Sequence, residues 1–121
     1  MRFMMIYKPA DIKKLEANIP PSQEEMTTMG EFIGELAQSG LLLAADGLLS
    51  SAMGARVRLA KGKLTVTDGP FTETKELIGG FAIVDVKSKA EAVVLAERFL
   101  KIAGDGESEI RLMYDAPAYP R

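Results

Sequence analysis

An α+β fold is what this chain predicts, and three observations carry that expectation. Two helix starts are marked by a serine three residues ahead of a glutamate, Ser22 with Glu25 and Ser88 with Glu91; at that spacing the two side chains cap the first backbone N–H groups reciprocally. Behind each start, apolar residues return at helical intervals: Met26, Met29, Phe32, Ile33 and Leu36 in one case, Ala92, Leu95, Ala96, Phe99, Leu100 and Ala103 in the other. Around these segments lie short apolar or alternating runs bounded by glycine and proline, the pattern of strands.

Taken in order, residues 2–7 read as the first strand. Phe3, Met4, Met5, Ile6 and Tyr7 are apolar without alternation, which fits a strand buried on both faces. A loop with Pro9, Pro20 and Pro21 follows and leaves room for a short helical piece over residues 11–17. The first long helix opens at Ser22 and closes at Gly40, a natural C-terminal cap. Residues 41–50 read as a strand. Residues 55–60 and 63–67 form a hairpin around Lys61-Gly62, with Val57 and Leu59 alternating against Arg56 and Arg58. Gly79-Gly80 leads into a strand at 81–86, Gly104 closes the second helix, and residues 109–114 form the last strand. This order is the split βαβ arrangement of ferredoxin-like folds with an added β-hairpin. Right-handed crossovers then put both helices on one face of an antiparallel sheet. The strands at 3–7 and 81–86 are apolar on their other face too, so a second copy packed sheet to sheet is expected, making a homodimer; the alternative cover is the loop at 8–21 with the C-terminal tail.

A chain of 121 residues, 47% apolar and 26% charged, suits one domain with its own core. Its net charge of −2, with lysines and arginines scattered, gives no footprint for nucleic acid. No span reaches membrane length, and the start lacks the pattern of a signal peptide, so a cytoplasmic protein is expected. The chain has no cysteine and no histidine. That excludes thiolate nucleophiles, Ser-His-Asp catalysis and the usual zinc sites by inventory. Any catalysis falls to carboxylates, Lys, Tyr, Arg or a bound cofactor; no particular cofactor and no metal are expected.

The densest cluster of chemical groups is residues 68–76, Asp-Gly-Pro-Phe-Thr-Glu-Thr-Lys-Glu. Gly69 and Pro70 make a stiff corner that aims the Asp68 carboxylate and buries Phe71. Asp68 is a candidate general base, its alternative role being to cap the turn. Lys75 and Glu76 could extend a polar wall for a substrate, or pair locally in solvent. Arg111, beside Ile110 and Leu112, needs a partner if buried, and Asp85 or Asp68 could supply it. Tyr7 and Tyr114 could offer hydroxyls to a cleft, and Asp46-Gly47 could line it from a strand end; packing and a turn are the plainer roles. Arg56 and Arg58 share one hairpin face. Met26, Met29, Met53 and Met113 are either an adaptable ligand wall or core.

These residues also carry a resemblance. Asp68-Gly69-Pro70-Phe71 followed by Thr-Glu-Thr-Lys-Glu, then Gly79-Gly80-Phe81, resembles the DGPF-containing branch of the YCII-related proteins. The flanks agree: the apolar first strand, Glu25-Met26, Gly47 before the hairpin, and Glu109-Ile110-Arg111. The resemblance implies a dimeric α/β barrel with a pocket between or beside the sheets, and a regulatory setting near extracytoplasmic-function sigma factors. The YCII branch uses an Asp and a His in its cleft; without a histidine that pair does not carry over whole. The function expected is binding of a small molecule, with carboxylate-based proton transfer (lyase or isomerase chemistry) at Asp68, and with Lys75, Glu76, Arg111, Tyr7 and Asp46 holding the substrate. The alternative is a non-catalytic module that senses a metabolite or partners a sigma factor.

Overall fold

In a computed structural model, which describes residues 1–71 and 77–115, the first strand β1 runs Arg2–Pro9 and is followed by a short helix α1, Ile12–Glu16. The long helix α2 spans Gln23–Gln38, strand β2 Leu42–Gly47, and the hairpin strands β3 and β4 Ala55–Ala60 and Lys63–Asp68. Strand β5 is Gly80–Asp85, helix α3 Lys89–Ala103 and strand β6 Gly106–Leu112. The main sheet is antiparallel in the order β2-β5-β1-β6, while β3 and β4 pair only with each other. Each long helix therefore links two strands that sandwich a third, the split βαβ order read from the sequence. The barrel implied by the resemblance is not closed within the described residues. Strands β2 and β6 are opposite edges of an open sheet, and the hairpin stands apart as a ribbon.

The helix ends follow local chemistry. The Ser22 hydroxyl accepts from the Glu25 N–H at 3.1 Å, and the Glu25 carboxylate accepts from the Ser22 N–H at 3.2 Å. At α3 the reciprocity expected of Ser88 and Glu91 is only half made. Ser88 caps the Glu91 N–H, but the Glu91 carboxylate turns to the N–H of Lys87. Gly40 and Gly104 both take positive φ after their helices, as C-terminal caps require. At the hairpin turn Lys61 and Gly62 both have positive φ, the handedness that matches the twist of the paired strands.

The core lies on one face of the sheet, where Phe3, Met5 and Val84 meet Phe32 and Leu36 of α2 and Ala92, Leu95 and Ala96 of α3. Met26, expected in that stripe, is exposed because it sits in the first turn of α2, ahead of the buried contacts at Phe32 and Leu36. The strand expected over 41–50 stops at Gly47. A bulge lies between Leu42 and Ala44 near its start, and past Gly47 the Leu48 N–H bonds the Gly79 carbonyl just ahead of β5. Strand β6 starts three residues earlier than expected because Gly106 and Pro9 pair, and a β-carbon on Gly106 would stand 2.6 Å from the Lys8 carbonyl oxygen. The opposite face of the sheet, with Met4, Ile6, Phe81 and Ile83 alternating against the core residues, carries neither α2 nor α3, and these four side chains are half-buried.

Candidate functional site

Strand register creates a cavity on the helix-facing side. One row across the sheet reads Gly47, Gly80, Tyr7, Ser108, and the next reads Ala45, Ala82, Met5, Ile110. Over β2 and β5 these rows hold only hydrogens and methyl groups. Helix α2 is held away from them by its own large side chains, Met29, Phe32, Ile33 and Leu36, and a space of about 390 Å³ remains between. That volume lies within the range of small-molecule sites, ~300–1,000 Å³. Phe99 of α3 closes one side, its ring meeting that of Tyr7 edge to face at 5.1 Å between centroids.

Two hydroxyl-bearing residues, Tyr7 and Ser108, are among those that line this cavity. The Tyr7 hydroxyl makes a long contact of 3.5 Å with the Asp105 carbonyl oxygen. Burial, and then the negative charge of Asp105, push its pKa above the ordinary phenol value, so it stays a neutral donor. Ser108 Oγ is shielded from solvent and has no hydrogen-bond partner. Such an unpaired buried hydroxyl costs about 1–3 kcal/mol. Native folds leave few of these.

The residues expected to form a site are dispersed. Tyr7 and Asp46 both line the cavity. Asp46 pairs opposite Phe81, however, so strand alternation turns its exposed carboxylate toward the open face. Arg111 is exposed on that open face and pairs with Glu109 at 3.1 Å, not with Asp85 or Asp68. Glu109 also receives Lys8 at 2.9 Å, and the two cations together lower its pKa. Asp68 is exposed at the end of β4, opposite Ala55, and is absent from the cavity lining. Lys75 and Glu76 lie outside the described residues. Of the four methionines weighed as a ligand wall, Met29 lines the cavity, joined there by Met5. Among the described residues no cluster of three or more carboxylates is arranged to hold a metal ion, and no helix is long and apolar enough to cross a membrane.

The Asp68-Gly69-Pro70-Phe71 corner is held by a different set of bonds. A one-turn 3₁₀ helix at Ser51–Met53 lies under it. The Phe71 N–H donates to Ser51 Oγ at 2.9 Å, and the Gly69 N–H to the Gly54 carbonyl at 3.0 Å. Phe71 is half-buried, with the Arg56 guanidinium 3.9 Å above its ring. Glu16, at the end of α1, accepts from the Ser50 hydroxyl and the Ser51 N–H, both at 2.7 Å, and from the Ser51 hydroxyl. These bonds, the Ser51 hydroxyl foremost, hold its carboxyl below the usual range. Asn18 adds a bond from the Ser50 N–H at 2.6 Å. Neither Glu16 nor Ser108 stood out in the sequence. Ser108 was legible as the one polar residue set inward between Glu107 and Glu109, once the strand is taken to start at Gly106.

The YCII-related domain model matches residues 1–113. A protein of Rhizobium meliloti (strain 1021), described as uncharacterized, is 37% identical over 59 residues, which are 49% of this chain and 48% of the relative. The match thus spans about half of that relative's length. A domain match over nearly the whole chain, on an α+β fold with antiparallel sheets, identifies the protein as a member of the YCII-related family.

Proposed function

We propose that this YCII-related protein binds a small molecule in the cavity between α2 and the sheet. The observation that carries the proposal is the glycine and alanine surface of β2 and β5, which leaves about 390 Å³ between the sheet and α2. Within one chain, binding without turnover fits better than catalysis, because Asp68 and Arg111 stand outside the cavity. That favours a metabolite-sensing regulatory module over a proton-transfer lyase or isomerase. The catalytic reading requires a second copy to bring its Asp68 to this cavity, in keeping with the DGPF-branch assignment and the dimeric α/β barrel that go with residues 68–71. Such a homodimer is supported by the apolar sheet face of Met4, Ile6, Phe81 and Ile83, which neither long helix covers.

A thermal-shift screen of metabolites on the wild type and Asp68→Asn in parallel tests both readings. A ligand that raises the Tm of both proteins alike supports the binding module. One that stabilises the wild type alone, with the variant folded, moves Asp68 into the site and favours the catalytic dimer. If no compound shifts either protein, the small-molecule reading falls.

A further inference from the structure

If the cavity binds a small molecule, as proposed above, the wall that answers to its filling is α2. Both ends of this helix are fixed. The Ser22–Glu25 box holds the first turn. At the other end the Leu36 carbonyl accepts from the Leu41 N–H and from the Ser39 hydroxyl, both at 3.0 Å. The middle is built differently. Gly30 and Gly34 lie four residues apart and so share one side of the helix. A β-carbon on either would meet nothing within 4 Å, so no close neighbour requires a glycine there. In a helix interior each one lowers stability about four- to fivefold relative to alanine. The Thr27 and Thr28 hydroxyls bond back to the Gln23 and Glu24 carbonyls at 3.0 Å, a contact that weakens helices slightly. Helix α3, of nearly equal length, has no glycine and four alanines.

The soft turns are the ones over the cavity. Met29 and Ile33, each next to a glycine in sequence, line it together with Phe32 and Leu36. Side chains that border an unfilled space have no partner atoms on that side and forgo the dispersion contacts that packing gives. A molecule in the cavity supplies those contacts, and it meets all four side chains only while the turns that carry them are helical. We infer that α2 is a ligand-ordered wall. Gly30 and Gly34 let its middle turns open locally while the cavity is empty, and a bound molecule closes them through Met29 and Ile33. The closed helix holds the ligand and the opened one does not, which is the differential affinity that shifts a population. Occupancy is thereby converted into helix order, a change that a metabolite-sensing module can pass on.

Amide hydrogen exchange on the full chain tests this, with benzene and indole as neutral probes and the Met5 and Met29 methyl NMR signals as the report of their binding. In the free wild type, the amides of residues 33–37 should have protection factors about tenfold or more below those of residues 95–99 in α3. Either probe, at ten times its Kd, should raise the α2 values about tenfold. Gly30→Ala combined with Gly34→Ala should raise them about tenfold or more in the free protein. Three results overturn the ligand-ordered wall and leave a binding cavity in place: equal protection of the two helices, α2 amides that do not respond while a probe moves the methyls, or a double variant with wild-type exchange. If neither probe moves the two methyls, the cavity is not a ligand site and both readings fail together.

Discussion

A β-carbon placed on Gly69 would stand 1.7 Å from the Ser51 carbonyl oxygen and 2.6 Å from its carbon. Both are backbone atoms, so neither can rotate aside, and the corner closes onto the 3₁₀ turn only because residue 69 has no side chain. Gly69→Ala should therefore cost about 1–3 kcal/mol, the usual range for overpacking, read as a lower midpoint in urea. Alanine tolerated at no cost would show that the corner does not sit on Ser51. The same contact has a pH dependence, through Glu16. Its folded pKa lies below the unfolded value, so its contribution is complete above the unfolded pKa and is lost as pH falls through the folded one. The protection factors of the Ser51 and Phe71 amides, which correct for the intrinsic slowing of exchange in acid, should fall on acidification in the wild type. In Glu16→Gln they should be low already at neutral pH and change little with acid. Equal pH profiles in the two proteins would remove Glu16 from this role.

Elements declare themselves where a local bond makes them. The Ser22–Glu25 box was legible in the sequence because both partners lie within one turn, and both bonds are made. Ser22→Ala should cost about 0.5–2 kcal/mol, or roughly 4 °C of Tm per kcal/mol in a chain of this size; an unchanged Tm would mean the α2 start is held by packing instead. The hairpin was legible for the same reason, since Lys61-Gly62 fixes its register without help from the rest of the chain. Features that depend on two distant strands were not. The early start of β6 needs Pro9 opposite Gly106, and the cavity needs Gly47, Gly80, Tyr7 and Ser108 to fall in one row across four strands. No spacing within a single segment encodes that alignment. The expected site clustered instead at residues 68–76, where polar groups are adjacent in sequence. Asp68 and Arg111 then proved to lie in separate places, and among the described candidates Tyr7 alone turns its side chain to the cavity.

Among the described residues, the half-buried outer sheet face and one exposed side of the hairpin are apolar surfaces that neither long helix covers. Val57 faces Val66 and Leu59 faces Leu64 across the ribbon, and each of the four is 67–70% exposed. An isolated two-stranded ribbon is marginal in water, so these side chains favour a covering surface. Charge points to what supplies it. Arg56, Arg58, Lys61 and Lys63 against Asp68 give the hairpin a net charge of +3, so in a chain of −2 overall the remainder carries −5. A basic, apolar arm on an acidic body is complementary to a second copy of that body, and a two-fold pair satisfies both arms at once. Sedimentation of the wild type should show a dimer at low micromolar concentration that weakens as salt screens the charges. Burying a Val or Leu contributes about 1.5–3 kcal/mol. Val57→Asp with Leu64→Asp should thus weaken association by ~100-fold or more and give a folded monomer with unchanged far-ultraviolet dichroism. A variant that stays dimeric would assign the interface to the Met4, Ile6, Phe81 and Ile83 face alone and leave the hairpin outside it. A wild type that is monomeric at the highest attainable concentration would end the dimer reading, and with it any delivery of Asp68 from one chain to the cavity of another.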